Sequence, residues 1–159
     1  MKNIPTLYSW VGGNDALEKL TEIFYDKVLH DDLLQHVFKN MSAAHTKHVA
    51  HFIAEVFGGP ELYTQGDDGS HAKMVAHHVG KLLTEAQRQR WIALLLQSVD
   101  ELGIADDPEF RSALVAYLEW GSRIAVINSK LTDNPLQHDA PMPKWGWGVP
   151  GGPYIPKEQ

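Results

Sequence analysis

The stretch Val49-Ala50-His51-Phe52-Ile53-Ala54-Glu55-Val56-Phe57-Gly58-Gly59-Pro60 decides the fold class. Its apolar residues Val49, Phe52, Ile53, Val56 and Phe57 recur every three to four positions, the spacing that lines them along one face of a helix. Gly58-Gly59-Pro60 then stops the helix sharply, because glycine takes the left-handed conformation of a helix end and proline cannot continue the ladder. Upstream, Ser42 is a residue type that caps helices, and the helix is expected to start there.

Outward from this segment the same period returns. Gly12-Gly13-Asn14-Asp15 is a breaker followed by a capping residue, and Leu17, Leu20, Ile23, Phe24 and Val28 place a helix over about 15–30, with a short helical piece over 32–38. Residues 61–71, rich in Gly and Asp, read as a loop leading to a short helix over 72–78. Thr84 with Gln87 forms a capping box for a helix carrying Trp91, Leu94, Leu95, Val99 and Leu102, closed by Gly103. Asp107-Pro108-Glu109 opens a last helix, with Phe110, Leu114, Tyr117, Leu118, Ile124 and Ile127 on its stripe, running to about Lys130. No stretch shows the period of a strand, so the class is all-α. Residues 1–131 read as one domain. Residues 132–159 read as an irregular extension rich in Pro and Trp, whose Trp145-Gly146-Trp147-Gly148 and Pro153-Tyr154 pieces are expected to pack on the domain surface, since aromatics left in water are unusual.

With 159 residues, 43% hydrophobic and 21% charged, the chain suits a single globular core. A formal charge of −6 and the lack of any basic run argue against nucleic acid and anionic membrane as partners. No apolar segment approaches the roughly 20 residues that span a bilayer, and the first residues do not read as a signal peptide, so a cytoplasmic location is expected. The absence of Cys excludes disulfides, Cys-ligated zinc, iron–sulfur clusters and thiol nucleophiles together. Nine His remain. They turn the search toward His-ligated metal or haem.

On the helix after Ser42, His45 and His48 share a face, whereas His51 is turned by about 240° from His45. A non-haem metal held by His45, His48 and His77 is one reading; the pattern is not His-Glu-x-x-His and offers no adjacent base. His30 and His36 sit near helix ends and read as solvent-facing or half-buried residues without a functional role. The pair His77-His78 lies at the end of a short helix, facing the helix that carries Trp91, and spacing alone does not choose between its members. Phe24 and Tyr25 diverge by about 100° on their helix, so one suits the core and the other a neighbouring cavity. Trp91 has a single polar atom, an indole N–H that either packs or points into a pocket.

In order along the chain, Trp10-Val11-Gly12-Gly13, Ala16-Leu17-Leu20, Phe24-Tyr25, Phe38, Gly58-Gly59-Pro60-Glu61-Leu62-Tyr63, His71, His78 with Trp91 thirteen residues on, and Tyr117-Leu118-Glu119 resemble the second group of the truncated haemoglobins, the two-on-two helical globins. The resemblance spans about 8–130 and implies a helical sandwich around haem b. It aligns His78 with the proximal iron ligand and places Tyr25, Phe38, His45, Val49 and Trp91 on the gas side. There Phe38 packs on the porphyrin, Val49 limits room, and Tyr25 and Trp91 donate hydrogen bonds to the gas.

Two departures stand out. His45 replaces a commoner small or hydroxyl residue, leaving open a donor or gate against a sixth iron ligand. Val79-Gly80-Lys81-Leu82 lacks the usual Pro-Phe. His71 matches a family position to which no role attaches. The implied function is O₂ binding, with NO, CO or sulfide as other ligands. The alternatives are an NO dioxygenase or peroxidase-like enzyme, which needs a separate reductase because the chain has no flavin or nicotinamide fingerprint, and a gas or redox sensor. A monomer and a homodimer are equally compatible.

Overall fold

The computed structural model describes residues 4–148. Those residues contain helices and no strand, in line with the expected class. The order is α1 (Leu7–Val11), α2 (Gly13–Leu29), α3 (Gln35–Phe38), α4 (His45–Val56), α5 (His71–Ala76), α6 (Glu85–Leu102) and α7 (Pro108–Ser129). Helix α2 packs on α4 and on α6, and α6 on α7. The shared interior holds Leu17, Phe24, Val28, Val56, Phe57, Leu95, Val99, Phe110 and Leu118. Burying each such side chain stabilises the fold by about 1.5–3 kcal/mol before chain entropy is counted.

Several boundaries follow local chemistry. Thr84 Oγ1 accepts from Gln87 N at 3.1 Å while Gln87 Oε1 accepts from Thr84 N at 2.9 Å, completing the expected box. Gly103 ends α6 at φ +63°, and Asp107 caps α7 ahead of Pro108.

Other boundaries differ from the expectation. Helix α1, capped by Thr6, was not anticipated; five residues are too few to show a period. Gly12, at φ +110°, both ends α1 and begins α2, which therefore starts at Gly13 and closes at Leu29. Of the piece expected over 32–38 only Gln35–Phe38 is helical, after turns tied to Asp31. Ser42 is not the cap of α4: the helix begins at His45 behind Ala44, with no side-chain cap, and Ser42 contributes only its carbonyl to His45 N. Helix α5 starts one residue early, capped by Ser70, and stops at Ala76, so His77 and His78 lie just beyond it.

The loop expected over 61–71 contains one wide turn, Leu62–Gly66, in which Asp67 N reaches back five residues to Leu62 O. Buried Glu55 on α4 fixes it, its carboxyl accepting from Thr64 N at 2.9 Å and Thr64 Oγ1 at 3.0 Å. The glycines before it have separate reasons. Gly58 sits at φ +90°, and a Cβ on Gly59 would lie 2.6 Å from the Tyr8 ring and 2.8 Å from Ala54 O.

Beyond α7 the chain is irregular up to Gly148 and lies on the helices. Trp145 N donates to Val56 O at 2.8 Å and its indole N–H to Ala113 O at 3.1 Å, while its ring lies against Tyr117 and Trp120. Trp147 sets its ring against Trp10 and Phe110 and donates to Pro5 O at 2.7 Å. Thus Trp145 and Trp147 pack on their own domain. The Pro153-Tyr154 piece lies outside the described residues.

Candidate haem site

Between the helices lies a cavity of about 610 Å³, within the range of cofactor sites. Tyr25 from α2, Phe38 from α3, His45 and Val49 from α4, His78 after α5, and Trp91 from α6 all line it. The sequence-based candidates therefore converge on one space.

Helical geometry explains the divergence of neighbours on α2. Phe24 is buried in the core, its ring edge-on to Tyr25 at 4.8 Å and to Trp91 at 5.2 Å, whereas Tyr25 reaches the cavity wall. Tyr25 Oη lies 3.3 Å from His45 Nε2, and the two rings meet edge-on at 5.1 Å. Phe38 stands 5.7 Å from Tyr25 and 6.4 Å from His45. Burial pushes the Tyr25 phenol well above its ordinary range, so it keeps its proton and stays a donor. Burial first, then the nearby rings of His77 and His48, holds His45 down at about 4. His78 is likewise held at about 4, by burial and then by His77, His45 and Lys81. Both imidazoles are thus neutral near pH 7, and a neutral ring nitrogen is the form that binds a metal. Trp91 lines the cavity with an indole N–H that makes no hydrogen bond among the described residues.

The other histidines separate by face. His48 and His51 both lie near Asp67: His51 Nδ1 is 2.7 Å from Asp67 and Nε2 is 3.3 Å from Glu18, while His48 Nε2 is 3.9 Å from Asp67. The signal missed was Asp67, distant in sequence. Among the described residues no three His, Asp or Glu side chains are grouped to hold an ion, which removes the reading with His45, His48 and His77. His77 nevertheless lines the cavity, its ring 6.4 Å from His45. Pro143 from the extension also forms part of the wall.

After His78 comes the turn that lacks Pro-Phe. Gly80 sits at φ +77° and Leu82 at φ +52°, and Ser129 at the end of α7 holds the segment by accepting from Leu82 N at its carbonyl (3.0 Å) and from Leu83 N at its hydroxyl (2.9 Å).

Residues 6–121 match the model of the bacterial-like globin family. The chain belongs to that family. Its relatives include a group 1 truncated hemoglobin of Tetrahymena thermophila, 32% identical over 107 residues, or 67% of this chain and 84% of that one. The group 2 truncated hemoglobin YjbI of Bacillus subtilis is 26% identical over 76% of this chain and 89% of its own. In fold the globin resembles the crystal structure of the group II truncated hemoglobin from Bacillus anthracis, with a TM-score of 0.70 and 23% identity over 79% of this chain and 93% of that one. The truncated-haemoglobin resemblance of the sequence holds, and with it come a haem-iron cofactor and a diatomic gas ligand.

The cavity fits that cofactor. It is large and mostly apolar, carries a neutral imidazole at His78, and offers Tyr25, His45 and Trp91 as polar groups. Among the described residues no helix is long and apolar enough to cross a membrane.

Proposed function

We propose that this globin is an O₂-binding haem protein of the second-group type, with haem b held by His78. The observation that carries the reading is the convergence of Tyr25, Phe38, His45, Val49, His78 and Trp91 on one cavity. Without Cys the chain cannot form the thioether links of a c-type haem, which agrees with a group held by ligation and packing alone.

When bound, the ferrous haem supplies the iron site for the gas. The chain supplies the rest. His78 ligates through a neutral ring nitrogen, and Phe38 and Val49 pack the porphyrin and limit space beside the gas. Tyr25 and Trp91 would donate hydrogen bonds to the gas, with His45 as a further donor or gate; each net bond would slow release by about three- to tenfold. O₂ is therefore retained rather than readily delivered, with NO, CO and sulfide as competing ligands. An NO dioxygenase or peroxidase-like activity at the same site would draw its electrons from a separate reductase, and the setting proposed is cytoplasmic.

The test is the absorption spectrum of the purified protein, ferric and ferrous, with and without CO. An intense Soret band that shifts with CO supports the reading. A protein that takes up no haem rejects it.

A further inference from the structure

The extension gives α5 what its own sequence lacks. Six residues cannot form a stable helix alone, and α5 buries only Ala72 and Val75, yet it presents His78 to the cavity. Two hydrogen bonds from the extension tie it down. Asn134 Nδ2 donates to Ala72 O at 2.7 Å, and His71 Nδ1 donates to Pro141 O at 3.2 Å. The Asn134 amide is fixed at both ends, because its Oδ1 accepts from Leu136 N at 3.0 Å. Two residues after Pro141, Pro143 enters the cavity wall. Trp145 and Trp147 then anchor the segment on α4, α7 and the chain before α1. All of this lies beyond residue 121, where the family match ends.

We infer that residues 132–148 are a strap belonging to the haem pocket, which clamps α5 and hence His78 and slows the loss of haem. The inference rests on the haem reading above. Loss of haem would require both that His78 let go and that the wall beside it open, and a clamp on α5 opposes both. His71 thereby gains a role, as the donor through which α5 holds the strap.

The double variant His71→Ala/Asn134→Ala removes both ties and leaves His78, Pro143 and the Trp anchors in place. In the full-length holoprotein, haem transfer to excess apomyoglobin should quicken by about three- to tenfold for each bond lost. In the same protein without haem, amide hydrogen exchange at 74–78 should quicken while that of α6 does not change. If the double variant does not fold, Asn134→Ala alone is read the same way. Haem loss at the parent rate overturns the strap while leaving the haem reading intact. Should the parent protein take up no haem, that reading falls, and unchanged exchange at 74–78 then overturns the clamp as well.

Discussion

Tyr25 and His45, on different helices, meet through a 3.3 Å contact between Oη and Nε2 at the cavity wall. The contact has two states. If Nε2 carries the ring's proton it donates to the phenol oxygen, and the Tyr25 O–H is free for a gas. If the proton is on Nδ1, Nε2 accepts the Tyr25 O–H and removes that donor. The histidine's tautomer thus decides how many donors the cavity offers, and the two residues should act as one unit.

Tyr25→Phe and His45→Leu should therefore change O₂ dissociation non-additively. Each single variant is expected to shift the rate by about three- to tenfold, and the double variant by clearly less or more than the product. Stopped-flow dissociation across the four proteins measures the coupling. Purely multiplicative rates would show independent action.

Trp91→Phe keeps the ring against Phe24 and removes the only polar atom. O₂ dissociation should quicken by about three- to tenfold, with association little changed. A dissociation rate equal to the parent's removes Trp91 from the donors.

His78→Ala should abolish stable haem retention, because it removes the neutral cavity imidazole proposed to hold the iron. The readout is the Soret absorbance after gel filtration. Retention with the parent spectrum would transfer the ligand role elsewhere, with neighbouring His77 the first to examine.

Acid should weaken the haem-free fold through the cavity histidines. His45 and His78 are held at about 4 in the fold against 6.5 in an unfolded chain. Between those values the unfolded chain binds more protons, so stability rises with pH there. It is fully present above about 6.5 and is lost as pH falls toward 4. The urea midpoint should drop from pH 7 to pH 5, and His45→Gln should flatten the drop; an unchanged slope removes His45 as a cause.

Glu55→Ala should lower stability by about 1–3 kcal/mol, because Thr64 N and Oγ1 lose their acceptor. Urea unfolding at neutral pH reads the change directly. A stability equal to the parent's would mean that the Leu62–Gly66 turn does not depend on the carboxyl.

What could be read from the sequence was what neighbours in the chain determine. Thr84 and Gln87, Gly103, and Asp107 with Pro108 mark helix ends through chemistry confined to a few residues, and the apolar stripes placed the long helices. Features that depend on distant partners were hidden. The Leu62–Gly66 turn needs Glu55, and the setting of His51 needs Glu18 and Asp67. Ser42 looked like a cap because capping residues also serve in turns. The residues that line the cavity together were legible as a set through the resemblance to known globins, whereas the cavity position of His77 and the contribution of Pro143 arise only once the chain is folded.

The hydrogen bond from Trp147 to Pro5 joins residues 142 positions apart. A contact that closes so long a loop carries a large entropy cost, which is met only after the intervening helices have packed. The docking of Trp147 should then be among the last events of folding and among the first lost on unfolding. Its indole fluorescence would time the completion of the native state.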